Sequence, residues 1–335
     1  MRLRFMLVII ALVLGAKEKP KAVKSPVWPP KAGIKTPGIQ IPFTNLKAEA
    51  ELAIGGTPTG MLADGMTLLV PVKETGSVTR FASRDNKAQD AWKTVEEPCG
   101  GIVKAFDSIW VPDCKKAGVA RLAAKEGKLS AKAEVGLSES RVTLAANGDS
   151  VWVLSDSKGT LSRLDPENNN IVSELRIGPG CTSILSEQDA LWLTCATENK
   201  LVKVDPKTNV VEKRIETALE PVAAVFGEAH LWVLGNKEGK ISKIDPKTMK
   251  VVATIETGVP DGKGTIAFGD GFVWVSQVGY PLTKIDAKTD KVMQQFVGDG
   301  GGTIWFNAGS VWIADGAKKT LARYDPKRIA LTLPD

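Results

Sequence analysis

The residues that could do chemistry are few: four cysteines, one histidine, and carboxylates and cations scattered along 335 residues. Cys99 and Cys114 lie 15 residues apart, Cys181 and Cys195 lie 14 apart, and no CxxC spacing occurs. A zinc site would need thiolates from both pairs, because His230 is the only imidazole. Disulfides are the simpler use of four thiols in an exported chain, although three pairings are formally open. Signatures of serine hydrolases, zinc peptidases and nucleotide binders (GxSxG, HExxH, the P-loop, GxGxxG) are absent. The glycine run GDGGG at 298–302 reads as a tight turn between structural units. What the remaining polar residues can do depends on which of them meet, and the elements that carry them decide that.

From Leu46 onward one pattern recurs: an apolar stretch, a Gly/Asp/Asn turn, a Val-Trp-Val-like strand, a loop, a Leu-x-Lys/Arg-Ile/Val-Asp strand, a turn and an alternating strand. Trp110, Trp152, Trp192, Trp232, Trp274 and Trp312 are 42, 40, 40, 42 and 38 residues apart. Asp165, Asp205, Asp245, Asp286 and Asp325 follow at 40, 40, 41 and 39. Four short strands every forty residues predict an all-β chain, a seven-bladed β-propeller of four-stranded antiparallel blades over 46–335. Its inner hairpins are expected near 57–72, 98–114, 140–155, 180–195, 220–235, 263–277 and 302–315, the first with Leu69 where the others have Trp. KAEAELAIGG at 47–56 resembles the last strand of a unit and is expected to complete the final blade; IALTLPD at 329–335 competes for that place.

Each recurring residue has a mechanical reading. In VWVLS or LWVLG the Trp alternates at period two and points into the packing between blades. In DPEN, DPKT and DAKT the Asp bonds local backbone N–H groups of a type I turn, and Pro presets φ at the next position.

In this register each cysteine pair faces itself across an inner hairpin, so Cys99 is expected to bond Cys114, and Cys181 to bond Cys195. Counting eleven residues back from each Trp puts Cys99, Arg141, Cys181, Pro221, Lys263 and Gly301 around one mouth of the central channel. Three residues past each Trp, Asp113, Ser155, Cys195, Gly235, Gln277 and Asp315 join them. Loops on such a face commonly bind ligands, and Arg141, Lys263, Asp113, Gln277 and Asp315 are the candidate ligand-binding residues. Catalytic and resident metal-binding residues are not expected.

The strand-turn unit, with Gly-Asp-Ser, VWV and LxRLDP, resembles the streptogramin B (virginiamycin B) lyase-like and YVTN-type seven-bladed propeller repeats. The resemblance covers about 46–335 and implies the fold more specifically than any activity. For a lyase it implies a histidine base and a magnesium ion held near carboxylate on the channel face. The chain departs from this, because His230 follows Gly227-Glu228-Ala229 in a turn on the opposite face. A non-catalytic binding propeller is therefore expected, with no cofactor. The alternative is a metal-assisted lyase or hydrolase that uses Mg with Asp113, Asp261, Asp315 or Glu139, beside Lys263 or Arg141. Architecture also admits a quinoprotein dehydrogenase, but those propellers usually have eight blades.

The first residues, with Arg2, Arg4, an apolar run Met6–Leu14 and then Gly15-Ala16, read as an export signal at 1–16, too short for a span of about 20 apolar residues. A Lys/Pro-rich extended linker is expected over 17–45. Of the formal charge of +6, residues 1–46 hold eight Lys or Arg against one Glu, which leaves −1 for the body. A near-neutral body lacks the footprint of a nucleic-acid binder. The expected partner is a small molecule, a peptide or an envelope component, met by a monomer in the periplasm or outside the cell.

Overall fold

The forty-residue period resolves into seven antiparallel sheets set as propeller blades. A computed structural model describes residues 39–93, 95–137 and 143–332, all within a unit spanning 35–335. Blades 1 to 7 span 62–88, 103–134, 143–176, 181–216, 221–256, 264–297 and 303–324, and within each the strands pair in chain order from the channel outward. The expected export signal, and the linker before residue 39, lie outside the described residues.

Blade 7 has three strands of its own, and its fourth is borrowed from the N-terminal side. Ala50–Ala53 pairs antiparallel with Thr320–Tyr324, Ala50 opposite Arg323, so the ring closes with the early strand. Of the rival segment, Ile329 and Ala330 end a short helix, Pro326–Ala330, whose N-cap Asp325 accepts the Lys327 N–H, and 333–335 lie outside the described residues. A further strand, Ile39–Pro42, runs parallel along Lys291–Val297 at the outer edge of blade 6. The stretch read as linker is thus ordered from Ile39, where alternation buries Ile41.

The six repeat tryptophans occupy equivalent buried places, each at most 1% exposed. Five donate their indole N–H to the carbonyl five residues earlier, as Trp232 does to Gly227 at 3.0 Å and Trp192 to Glu187 at 3.1 Å. Opposite each Trp, on the third strand, stands a cation: Arg121, Arg163, Lys203, Lys243, Lys284 and Arg323. Each lies over its indole, 4.8 Å from the ring centroid for Lys243 and 5.5 Å for Arg163 and Arg323.

Three of these cations also reach into the next blade. Lys243 Nζ donates to Ala287 O (3.0 Å) and Asp290 Oδ1 (2.7 Å). Arg323 Nη1 donates to Ser83 O and Asn86 Oδ1, both at 2.9 Å, and Arg121 Nη1 donates to Pro166 O and Asn169 Oδ1. In every case the acceptors are a turn carbonyl and the side-chain oxygen three residues on. That second residue is Asp290, Asn86 or Asn169, with φ between 54° and 61°, a conformation Asn and Asp tolerate. The turn chemistry read as purely local therefore also fastens neighbouring blades. Arg323, fastening blade 7 to blade 1, bridges residues 237 apart in sequence.

Lys243 is 7% exposed, so removing its carboxylate leaves a desolvated charge. Asp290→Gly, which keeps the left-handed backbone, is expected to lower stability by about 2–4 kcal/mol. Asp290→Asn keeps an acceptor oxygen and should cost clearly less, both read by chemical denaturation.

Candidate functional site

Both inner-hairpin disulfides form, Cys99 with Cys114 and Cys181 with Cys195, at S–S distances of 2.02 and 1.99 Å. Their registers differ by one residue. Cys181 and Cys195 are direct partners, whereas in blade 2 the bridge falls on Pro98 and Asp113, and the cysteines follow it. The two bonds tie adjoining loop ends on one face, the face expected to carry the ligand.

The candidate residues on that face do not form one cluster. Asp113 is buried, and its carboxylate accepts the N–H groups of Glu96 (3.0 Å) and Glu97 (3.1 Å) in the loop entering blade 2. Asp315 is buried and accepts from Ala317 and Lys318 N–H, closing its own turn. Gln277 is fully buried, its amide donating to Gly262 O at 3.0 Å. Lys263 is exposed and makes no ion pair among the described residues. Arg141 and Glu139 lie outside the described residues.

Charges around this rim pair with one another across blade boundaries. Lys73 meets Glu97 at 3.0 Å, Lys115 and Lys116 meet Glu96, and Lys237 meets Asp261 at 2.9 Å. Glu74, in blade 1, accepts from the N–H and hydroxyl of Thr57, in the segment leaving the closing strand, at 2.6 and 2.7 Å. Those two bonds lower the Glu74 pKa to about 2. Among the described residues no three of His, Cys, Asp and Glu gather as metal ligands.

His230 sits on the opposite face, its Nδ1–H donating to Glu228 O at 2.5 Å, in the turn where the repeat placed it. Two features of that face had no counterpart in the sequence reading. Glu187 ends the innermost strand of blade 4, and burial raises its pKa. A cleft of about 500 Å³ opens between blades 6 and 7, lined by Asp270, Phe306, Ser310 and Arg323 among others. Neither stands out in sequence, because each depends on what the neighbouring blade leaves unfilled.

Seven blades, a borrowed closing strand and loops gathered on two faces define a seven-bladed β-propeller. The fold is similar to virginiamycin B lyase from Staphylococcus aureus. Its selenomethionine-substituted form is 14% identical with a TM-score of 0.68. A catalytically inactive histidine-to-alanine variant with quinupristin is 15% identical at 0.69. Each alignment covers 82% of this chain and 97% of the other, and at these identities the likeness is one of fold. No protein-family model and no curated protein matches the chain.

Two outcomes follow. Each disulfide closes a loop of about 15 residues and is worth about 3 kcal/mol on the chain-entropy model, so reduction should lower the melting temperature, while non-reducing peptide maps show the two pairings above. A carboxylate with a lowered folded pKa stabilises above its unfolded value, 4.5 for Glu74, and that contribution is lost as pH falls toward about 2. Glu74→Gln should therefore be less stable than wild type at neutral pH, with the difference closing over that window in acid-denaturation curves.

Proposed function

We infer that this protein is an exported, non-catalytic propeller that binds a small molecule, peptide or envelope component at the channel mouth on its disulfide-bearing face. The observation that carries this reading is how the rim carboxylates are used. Asp113 holds the loop entering blade 2, Asp315 caps its own turn and Asp261 pairs with Lys237, so each of these three described carboxylates is engaged within the protein and not gathered toward a metal or a reacting atom. Rigid loops tied by two disulfides suit recognition, and Lys263 stands exposed beside them to meet an anionic or carbonyl-bearing ligand. Arg141 shares its repeat position and is assigned the same role. Asp113, Gln277 and Asp315 act in this reading by holding the loops that present the cations. Disulfides, and the lack of any helix long and apolar enough to cross a membrane among the described residues, are compatible with a periplasmic or extracellular place.

A second reading is favoured by the fold likeness to virginiamycin B lyase: a metal-assisted lyase. It has to contend with His230, the one imidazole, which lies on the face away from the disulfides and is bonded to its own turn.

A thermal-shift screen of small molecules and peptides, run with and without Mg²⁺, separates the two, since ligands of the native state raise its melting temperature by mass action. A metal-independent hit is expected. Arg141→Ala with Lys263→Ala should then weaken it by up to about a hundredfold, the worth of charge-assisted bonds, and His230→Ala should not change it. Stabilisation that appears with Mg²⁺ alone and is lost in His230→Ala would instead support the lyase.

A further inference from the structure

Blade 4 carries an acceptor for the inter-blade fastening that no cation uses. Its turn Asp205-Pro206-Lys207-Thr208-Asn209 repeats Asp165-Pro166-Glu167-Asn168-Asn169, the turn of blade 3 that receives Arg121. The two turns are built alike. In each the first Asp accepts from the N–H two residues on at 2.8 Å, and the last Asn returns its N–H to the Asp carbonyl, at 2.8 Å in blade 3 and 2.9 Å in blade 4. The left-handed φ of the last residue is 61° for Asn169 and 57° for Asn209. Asn169 Oδ1 accepts from Arg121, whereas Asn209 Oδ1 is buried and has no hydrogen-bond partner among the described residues. The other unfastened junctions offer no such oxygen, because the residue at that turn position is Gly127 in blade 2, Met249 in blade 5 and Ile329 in blade 7.

The cation that belongs to Asn209 is Arg163 of blade 3, and its base is set as in the blades that do fasten. Its Nε donates to Ser150 Oγ at 2.6 Å, as Arg121 Nε does to Ser108 and Arg323 Nε to Ser310. Its guanidinium lies 5.5 Å from the Trp152 centroid, the distance of Arg323 over Trp312. Trp152 packs with Val204 and Val211, which flank the blade 4 turn, so the guanidinium is laid against the element that carries Asn209. Only the tip differs. Nη2 donates to Asp149 Oδ1 at 2.8 Å, and that aspartate side chain is 81% exposed. Asp107 has the corresponding place in blade 2, but there Phe106 and Asp107 both have positive φ, whereas in the blade 3 turn Gly148 has and Asp149 has not. The two carboxylates therefore leave their turns in different directions. Trp152 is also the one repeat indole of the six whose N–H has no partner among the described residues, a second sign that this junction is short of bonds.

We propose that Arg163 is a two-position latch between blades 3 and 4: Asp149 holds it off, and Pro206 O with Asn209 Oδ1 forms its second pair of acceptors. Salt acts differently on the two positions. An exposed ion pair is screened, over a length that falls from about 30 Å in 0.01 M salt to about 3 Å in 1 M. Neutral oxygens in a buried turn lose far less. Rising ionic strength therefore transfers the guanidinium from Asp149 to blade 4 and tightens the joint, the reverse of the usual effect of salt on a charged contact. The latch lies on the face opposite the disulfides and is independent of the binding reading given for that other face.

A double-mutant cycle of Arg163→Met and Asn209→Gly, the glycine keeping the left-handed backbone, reads the latch by chemical denaturation of the full chain. With Asp149 present and salt low, the two losses are expected to add. In an Asp149→Ala background, or at high salt, a coupling of about fivefold or more in the folding equilibrium constant is expected. In the unaltered protein the NMR signals of Arg163 Nε–H and the Asn209 side-chain amide should shift together as salt is raised, a reading that stands even where Asp149→Ala folds poorly. Coupling already present with Asp149 at low salt, additive losses in every background, or signals that ignore salt would overturn the latch and leave Arg163 a fixed partner of its own blade.

Discussion

The propeller depends on one repeated interaction, an indole buried between blades with a cation laid over it from the adjacent strand. The indole supplies apolar area, and the cation keeps that area from being merely greasy by giving it a polar tip with a direction. Where the tip finds two oxygens in the next turn, neighbouring blades are fastened in register. At the junction of blades 7 and 1 the same device joins the two ends of the domain, alongside the borrowed strand Ala50–Ala53. A buried cation is expensive without partners, so each interface must present acceptors, divert the charge, or leave a vacancy. Arg163 is diverted to Asp149 and Ser150 of its own blade, and Lys203 to Glu212.

Most of the architecture was legible because its determinants are periodic. The Trp and Asp spacings specify strand, turn and repeat length together, and the Leu-x-Lys/Arg strand already contained the fastening cation. What it fastens to was not legible, since the acceptor lies in a turn some forty residues on and is recognisable only once blades are stacked. The terminal elements were harder for a related reason. At 326–330 the backbone continues into a helix where the earlier repeats turn back, and IQIP at 39–42 is too short to announce a strand. On the disulfide-bearing face, repeat position placed Asp113, Gln277 and Asp315 at the rim, but position does not reveal that their polar atoms are turned to backbone groups of the loops beside them.

The two faces now carry different meanings. One has loops tied by disulfides and laced by ion pairs, with Lys263 exposed among them. The other is built from tight turns and is regular except where the chain ends. Departures from the repeat deserve functional readings more than the repeat itself, because positions that recur in every blade are explained by packing. Lys263 and Glu187 are such departures, and Lys263 is exposed on its loop, where a ligand has access.

Where it finds acceptors in the next turn, the third-strand cation couples consecutive blades, and the ring junction is the sharpest case because sequence proximity contributes nothing there. A double-mutant cycle of Arg323→Met and Asn86→Gly, the second preserving the left-handed backbone at Asn86, isolates the pair from its surroundings. Denaturation midpoints should give a favourable coupling energy of about 0.5–3 kcal/mol. Strictly additive losses would contradict the account, and would mean that the borrowed strand alone closes the ring.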